Sequence, residues 1–226
     1  MFLLATLSLF CNESKKESKP VETISREISG QAVVDTLLAL GYFKYAEKGN
    51  VDTLKKEISQ AFDLDKVIST VTSDNSPYTP FCFKLYSCDG ENLFEYGGVV
   101  EKLKDIKPTF DKLNIPLKWK DDFYSEDGKQ HTIEVNNKVY FAFKGDPNDM
   151  QAWGFATKYF VEMINDQLSI HGSDERLFPI MAGNEGGAIF LTKAQYEFIR
   201  RYFDKEESPL EVQEWWKKNT IPRHHK

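Results

Sequence analysis

The residues best suited to chemistry lie together in one short polar loop that runs from His171 to Arg176. This loop holds an imidazole, a hydroxyl, two carboxylates and a guanidinium, in the order His-Gly-Ser-Asp-Glu-Arg. Imidazoles and carboxylates act as general acids and bases, whereas hydroxyl and guanidinium groups bind polar or anionic ligands. The loop therefore supplies candidates of two kinds: the catalytic candidates His171, Asp174 and Glu175, and the binding candidates Ser173 and Arg176.

The same residues also fit a structural role at the end of a helix. His171 would interact favourably with the negative end of the helix dipole, and Gly172 would take the left-handed conformation that ends many helices. Ser173 or Asp174 would then cap the following turn. Because sequence neighbours rarely face one another as a Ser-His-Asp triad does, a catalytic site here needs partners from elsewhere. The candidates for that role are Asp89, Asp121 and Asp122.

The chain after this loop predicts a β-hairpin that leads into a well-defined helix. Two apolar runs, 177–182 and 188–191, flank a Gly-Asn-Glu-Gly-Gly turn at 183–187. The turn lacks the Lys-Ser/Thr pair that completes a phosphate-binding loop, and it lies at the far end of the hairpin from the polar loop. The two polar segments therefore cannot form one site within the hairpin. Thr192 and Gln195 have the spacing of a capping box and predict the start of the helix.

Other routes to catalysis have no clear motif. The sequence contains no HExxH, GxSxG or dinucleotide-binding pattern. A thiol protease would pair Cys82 or Cys88 with a histidine, either His131 or His171. Both thiols fall in a predicted strand, whereas reactive thiols favour helix N-termini. A glycosidase needs only two carboxylates at a set separation, and the sequence has 35 acidic residues. Four tryptophans either stack on sugar rings or are buried: Trp119, Trp153, Trp215 and Trp216.

The cysteines of the segment Phe-Cys-Phe-Lys-Leu-Tyr-Ser-Cys predict buried free thiols. On an extended strand Cys82 and Cys88 would stand about 20 Å apart. A disulfide needs Cα atoms within about 7 Å of each other. Their spacing does not match a zinc signature either, and the adjacent His224 and His225 make only a weak pair of ligands. We therefore predict no metal site and no cofactor.

The overall composition is that of a soluble globular protein with an acidic balance. The 226 residues are 41% hydrophobic and 28% charged, and the formal net charge is −6. The basic residues form no run except at the tail, 223–226. Affinity for nucleic acid depends on neutralising phosphates, so the composition argues against nucleic acid as a partner.

The N-terminus carries an apolar run of nine residues, 2–10, followed by Cys11 and an abruptly polar segment. A membrane-spanning helix takes about 20 residues, so this run is too short to cross a bilayer but suits a signal peptide. The segment resembles the signal segment of bacterial lipoproteins, over residues 1–20. The resemblance implies a lipid attached to Cys11, a membrane anchor, and a location in the periplasm or at the cell surface. A buried N-terminal strand or a disordered start is the alternative.

The remaining pattern predicts an α+β fold with an antiparallel sheet, packed helices and an N-terminal helical hairpin. We divide the chain into a signal-type segment at 1–10, a polar tether at 11–28 and one globular domain at 29–226. Apolar residues at helical spacing predict the hairpin between Ser29 and Phe62. Strand pairs lie close in sequence without strict β-α-β alternation, which favours about five to seven antiparallel strands. A further helix contains Pro108 and either kinks there or ends just before it.

Two local predictions concern the sheet. The first is a strand at 82–88 that returns at 93–96 through an Asp-Gly turn. The second is a hairpin at 131–144 closed by a three-residue loop at 136–138, which places all its apolar residues on one face. This register puts His131 opposite Phe143 on the apolar face and predicts a core histidine with satisfied hydrogen bonds rather than a catalyst. The longest helix follows, with a buried stripe at 153–168 that includes Trp153.

Two functional hypotheses follow from these observations. The first is a membrane-anchored binding or interaction module outside the bacterial cytoplasm, without enzymatic activity. Its partners would be the membrane, through the lipid anchor, and another protein or a glycan. The alternative is a membrane-anchored hydrolase of peptides or glycans that uses the loop at 171–176.

Overall fold

A computed structural model of the chain describes residues 28–68, 80–120, 122–182 and 186–220. Predictions for Cys11, the signal segment, most of the tether, Asp121, part of the 183–187 turn and the tail histidines lie outside these ranges. The described chain forms seven α-helices and six strands: α1 Gly30–Ala39, α2 Val51–Asp65, β1 Leu85–Ser87, α3 Gly90–Phe94, α4 Gly98–Lys112, β2 Phe123–Tyr124, β3 Gln130–Val135, β4 Lys138–Lys144, α5 Ala152–Ile170, β5 Glu175–Ile180, β6 Gly187–Thr192, α6 Lys193–Tyr202 and α7 Val212–Thr220. The predicted α+β class is confirmed.

The strands form two antiparallel sheets of three, in the orders β1-β6-β5 and β2-β3-β4. The first sheet lies between two hydrophobic clusters. On one face Leu177 and Phe190 enter the first cluster, and on the other Phe178 and Ile189 enter the second. Both faces are covered, which explains why β5 and β6 are continuous apolar runs rather than alternating ones.

The second cluster is closed by the predicted helical hairpin, in which α1 packs on α2. Ser29 begins α1 as an N-cap that accepts a hydrogen bond from the amide of Ala32. The two helices approach so closely at Gly30 that only glycine fits, because a Cβ at this position would lie 2.2 Å from the carbonyl oxygen of Ser59. Its amide donates to Asp63 Oδ1 at 2.7 Å, which fastens the two helices at this point.

The β3–β4 hairpin differs from the predicted three-residue loop. Val135 pairs with Lys138, so the turn has two residues, and its Asn136 and Asn137 have φ angles of 48° and 65°. Asparagine tolerates this left-handed conformation, which type I′ turns require. A β-bulge next to His131 then restores the expected pairing of His131 with Phe143. The bulge allows Phe143 to be buried although Val139 and Phe141, at alternate positions earlier in the strand, are exposed.

The predicted strand at 82–88 is much shorter, and its predicted return strand is wrong. Only Leu85–Ser87 is extended, because Phe83 takes a φ of 55° within a turn. The Asp-Gly pair that suggested a hairpin turn instead starts α3, where Asp89 Oδ1 accepts a hydrogen bond from the amide of Glu91 at 2.9 Å. β1 pairs with β6 instead.

The helices largely follow the sequence pattern. α4 continues through Pro108 as one helix. The Thr192–Gln195 capping box at the start of α6 is confirmed, with both reciprocal hydrogen bonds present. Trp153, expected in the buried stripe of α5, is 41% exposed. Among the described helices none combines the length and apolar character that a membrane span requires.

Candidate functional site

The polar loop at 171–176 is first of all a tightly bonded helix end. α5 stops at Ile170, and Gly172 takes a φ of 68°, the left-handed conformation expected after a helix. The amide of Ser173 then donates to the carbonyl of Leu168 at 2.9 Å, and Ser173 Oγ accepts from the amide of Glu175 at 3.1 Å. The structural role foreseen for Gly172 and Ser173 is therefore confirmed.

The three candidate catalytic residues of this loop lie in three different environments. His171 is exposed and lines one surface cavity, whereas Asp174 lines a different one together with Arg176. Glu175 is buried between them and points into the protein. His171, Asp174 and Glu175 therefore do not form one catalytic cluster.

The first cavity, which we call the Trp119 cavity, has a volume of about 470 Å³. The half-buried indole of Trp119 lies in its wall among polar and charged side chains. They include an ion pair of 2.7 Å between Lys120 and Glu134. Its lining also includes Lys118, Asn137 and His171.

His171 presents a defined nitrogen to solvent at this cavity. Its Nδ1 lies 2.9 Å from the carbonyl oxygen of Gln167. A carbonyl only accepts hydrogen bonds, so Nδ1 carries the proton and the neutral ring leaves Nε2 as an acceptor. The backbone of α5 therefore fixes both the tautomer and the orientation of the imidazole.

Asn136 holds the frame of the Trp119 cavity together. Its Oδ1 accepts from the amide of Lys118 at 2.9 Å. Its Nδ2 donates to the carbonyl of Pro116 and to Gln167 Oε1, both at 2.7 Å. One side chain thus ties the segment that carries Trp119 to the β3–β4 turn and to α5. The cavity is consequently preformed rather than assembled from loose loops.

The second cavity, which we call the Arg176 cavity, has a volume of about 310 Å³. An aromatic pair lies in its wall, formed by Phe178 of β5 and Tyr196 of α6, whose stacked rings are 4.2 Å apart. Five charged side chains complete the lining: Asp174, Arg176, Lys193, Glu197 and Glu211. This cavity therefore combines an apolar wall with charges of both signs.

Beneath the loop, Glu175 forms a buried ion pair with Lys84, whose Nζ lies 2.8 Å and 2.9 Å from the two carboxylate oxygens. Lys84 is fully buried and also donates to the carbonyl of Phe190 at 3.3 Å. Burial lowers the pKa of Lys84, and Glu175 opposes that shift. The pairing explains why Glu175 faces inward, and it makes Glu175 a structural rather than a solvent-facing carboxylate.

The other polar residues proposed as helpers also have local partners. Asp89 caps α3, and Asp122 Oδ2 lies 2.9 Å from Nε2 of the buried His131, whose ring stacks on Tyr124. Burial lowers the pKa of His131, although Asp122 partly offsets the effect. His131 is thus buried in the core as predicted, and its Nε2 pairs with an aspartate that the sequence did not assign to it. The expectation that the ring is fully satisfied is wrong, because Nδ1 has no hydrogen-bond partner among the described residues.

The two thiols at 82 and 88 are buried and free, as predicted. Burial raises the pKa of Cys88 to about 12 and also raises the pKa of Cys82. Neither thiol therefore has the thiolate character that a cysteine nucleophile needs. Among the described residues no group of three or more His, Cys, Asp or Glu is placed to hold a metal ion.

No family model, curated protein or solved structure matches this chain.

Sequence reasoning missed most of the residues that complete the two cavities. The sequence offers Trp119 only as one of four tryptophans, and it gives no signal for Lys118 or Glu211. The sequence does contain a signal for the burial of Lys84. On an extended strand Lys84 lies on the same face as Cys82, Tyr86 and Cys88, and all three of these residues are buried. A lysine at a core-facing position predicts a buried partner of opposite charge.

Proposed function

We propose that this protein is a membrane-anchored binding module that takes a glycan in the Trp119 cavity. The half-buried indole of Trp119 in the wall of this cavity, among hydrogen-bonding side chains, is the observation that carries the proposal. A sugar ring has an apolar C–H face and a rim of hydroxyl groups. An aromatic wall beside ammonium, carboxylate, amide and imidazole groups complements both features.

The arrangement of the wall supports binding by a preformed surface. Asn136 fixes the segment that carries the indole, and the backbone of α5 fixes the ring of His171. A site whose side chains are already held in place loses less conformational entropy when a ligand binds. Lys118 and Asn137 are exposed at the same cavity and provide donors and acceptors for sugar hydroxyls.

A screen of the full chain against an array of oligosaccharides, followed by calorimetry on the best ligand, tests this proposal. We expect Trp119→Ala to weaken binding at least tenfold, because the aromatic contact is lost while the polar rim remains. Tenfold corresponds to about 1.4 kcal/mol. The matched control is Trp153→Ala, which removes a tryptophan that is 41% exposed and lies outside this cavity. The proposal fails if no oligosaccharide binds, or if both variants weaken binding equally.

The anchor forms a separate part of the proposal and rests on the lipoprotein-like segment ending at Cys11. We expect bacteria fed a labelled fatty acid to incorporate the label into the wild-type chain but not into Cys11→Ala. The variant should also leave the membrane fraction, since a single apolar segment of nine residues cannot span the bilayer. Equal labelling of both chains would contradict attachment at Cys11.

A hydrolase remains the second candidate because His171 and Glu134 line the same cavity. His171 Nε2 is available as a base, and Glu134 is a carboxylate held by Lys120. Incubation of the full chain with the best-bound oligosaccharide, followed by measurement of new reducing ends, separates the two functions. Turnover that disappears in His171→Ala with unchanged thermal melting would favour the hydrolase, whereas binding without turnover favours the module.

A further inference from the structure

We infer that the Arg176 cavity is a second binding site, which takes a small zwitterion with an apolar side chain. The chemistry is that of an amino acid, either free or at the end of a short peptide. None of the residues that line this cavity lines the Trp119 cavity. The inference therefore stands independently of the proposed glycan site.

Arg176 is the group that would hold a carboxylate. Its Nη1 donates to the carbonyls of Ser173 and Glu175 at 2.7 Å and 2.6 Å, which fixes the guanidinium by backbone atoms alone. No carboxylate in the described ranges lies within ion-pair distance of it. Nε and Nη2 make no hydrogen bond with the described residues. An arginine that is held in place but keeps donors unused is prepared for a planar anion.

The same cavity offers groups for a ligand ammonium. Asp174 and Glu211 line it, are exposed, and have no cationic partner within ion-pair distance among the described residues. The other two charged residues of the lining, Lys193 and Glu197, lie 3.9 Å apart and offset each other. A ligand with only a carboxylate would meet the repulsion of Asp174 and Glu211, and a ligand with only an ammonium would meet the repulsion of Arg176. A zwitterion places one charge against each set, which is the electrostatic match that the cavity provides.

The aromatic wall and the volume of the cavity further limit the class of ligand that fits. The stacked rings of Phe178 and Tyr196 form the apolar surface between the charged groups. Tyr196 is held by Arg200, whose guanidinium carbon lies 5.7 Å from the ring centroid and whose Nη1 donates to the tyrosine hydroxyl. A volume of about 310 Å³ lies at the small end of ligand cavities, which suits one residue rather than a folded partner.

Calorimetry with the full chain tests the site, using phenylalanine and glycyl-phenylalanine as probes of the free and peptide forms. N-acetyl-phenylalanine lacks the ammonium, and phenylalanine amide lacks the carboxylate. We expect at least one zwitterionic probe to bind and both blocked compounds to bind at least tenfold more weakly. Failure of both zwitterions to bind, or equal binding of the blocked compounds, would overturn the inference.

Variants assign the binding to this cavity. Arg176→Gln should weaken binding of the probe at least tenfold. The control is Arg201→Gln, an exposed arginine of α6 that does not line this cavity, and this variant should not change the affinity. Arg176 also bonds the loop backbone, so Glu211→Gln serves as a second variant that disturbs no described hydrogen bond. Glu211→Gln should weaken binding of the zwitterion and strengthen binding of N-acetyl-phenylalanine. Equal losses in the Arg176 and Arg201 variants, or no effect of Glu211→Gln on either compound, would remove the site from this cavity.

Discussion

The buried pair of Lys84 and Glu175 connects all three strands of the sheet β1-β6-β5, which we call the central sheet because it lies between the two hydrophobic clusters. Lys84 directly precedes β1, it donates to Phe190 of β6, and its carboxylate partner begins β5. Two aromatic rings, those of Tyr42 and Tyr45, lie 5.6 Å and 5.3 Å from the ammonium. A buried charge is tolerated only when it is paired and hydrogen-bonded, and here both conditions are met.

Lys84→Met should therefore destabilise the protein strongly, by about 3–5 kcal/mol, because it leaves a buried carboxylate without its partner. The double variant Lys84→Met, Glu175→Met removes both charges and should recover most of that loss. Urea denaturation measures the free energy of unfolding of each variant.

The control for this pair is Lys107→Met on α4, where the 2.6 Å ion pair with Asp111 is exposed to solvent. Exposed pairs contribute little to stability, so this variant should unfold almost like the wild type. A double variant as unstable as Lys84→Met alone would show that the two charges are not energetically coupled.

At the scale of elements, sequence reasoning succeeded where the signals were local. The capping box of α6 and the helical hairpin are both specified by residues a few positions apart, and both are confirmed. The predicted three-residue β3–β4 turn is wrong because that prediction requires all the apolar residues of the hairpin to share one face. In the structure Val139 and Phe141 are 65% and 40% exposed. The bulge near His131 then shifts the register, so that Phe143 is buried.

Elements whose partners lie far away could not be predicted from local patterns. β1 pairs with β6 rather than with a nearby strand, and nothing around Leu85 or Ile189 identifies the other. The candidate site shows the same limit. The loop at 171–176 contributes His171 to one cavity and Asp174 and Arg176 to the other, and its functional role stays a prediction. Its division between two cavities depends on distant residues such as Trp119 and Glu211.

At the scale of the whole molecule, the central sheet joins the two hydrophobic clusters, because each cluster packs on one of its faces. Ile189 and Phe190 are adjacent on the middle strand β6, yet they belong to different clusters. The first cluster includes Leu103 of α4, and the second includes Leu54 of α2. Loss of either cluster would expose one face of the same three strands, so the two clusters should unfold together.

Leu54→Ala and Leu103→Ala test this coupling, because both side chains are fully buried and lie in different clusters. Each should lower the free energy of unfolding by about 2–5 kcal/mol through lost burial and the cavity left behind. Each should also shift one common transition, by about 2–4 °C per kcal/mol for a domain of this size. The control is Leu64→Ala on α2, where the side chain is 79% exposed and the transition should not move. Circular dichroism and tryptophan fluorescence should report coincident curves for all three variants. If Leu54→Ala instead separates an early transition from a late one, the clusters unfold independently and the shared sheet does not couple them.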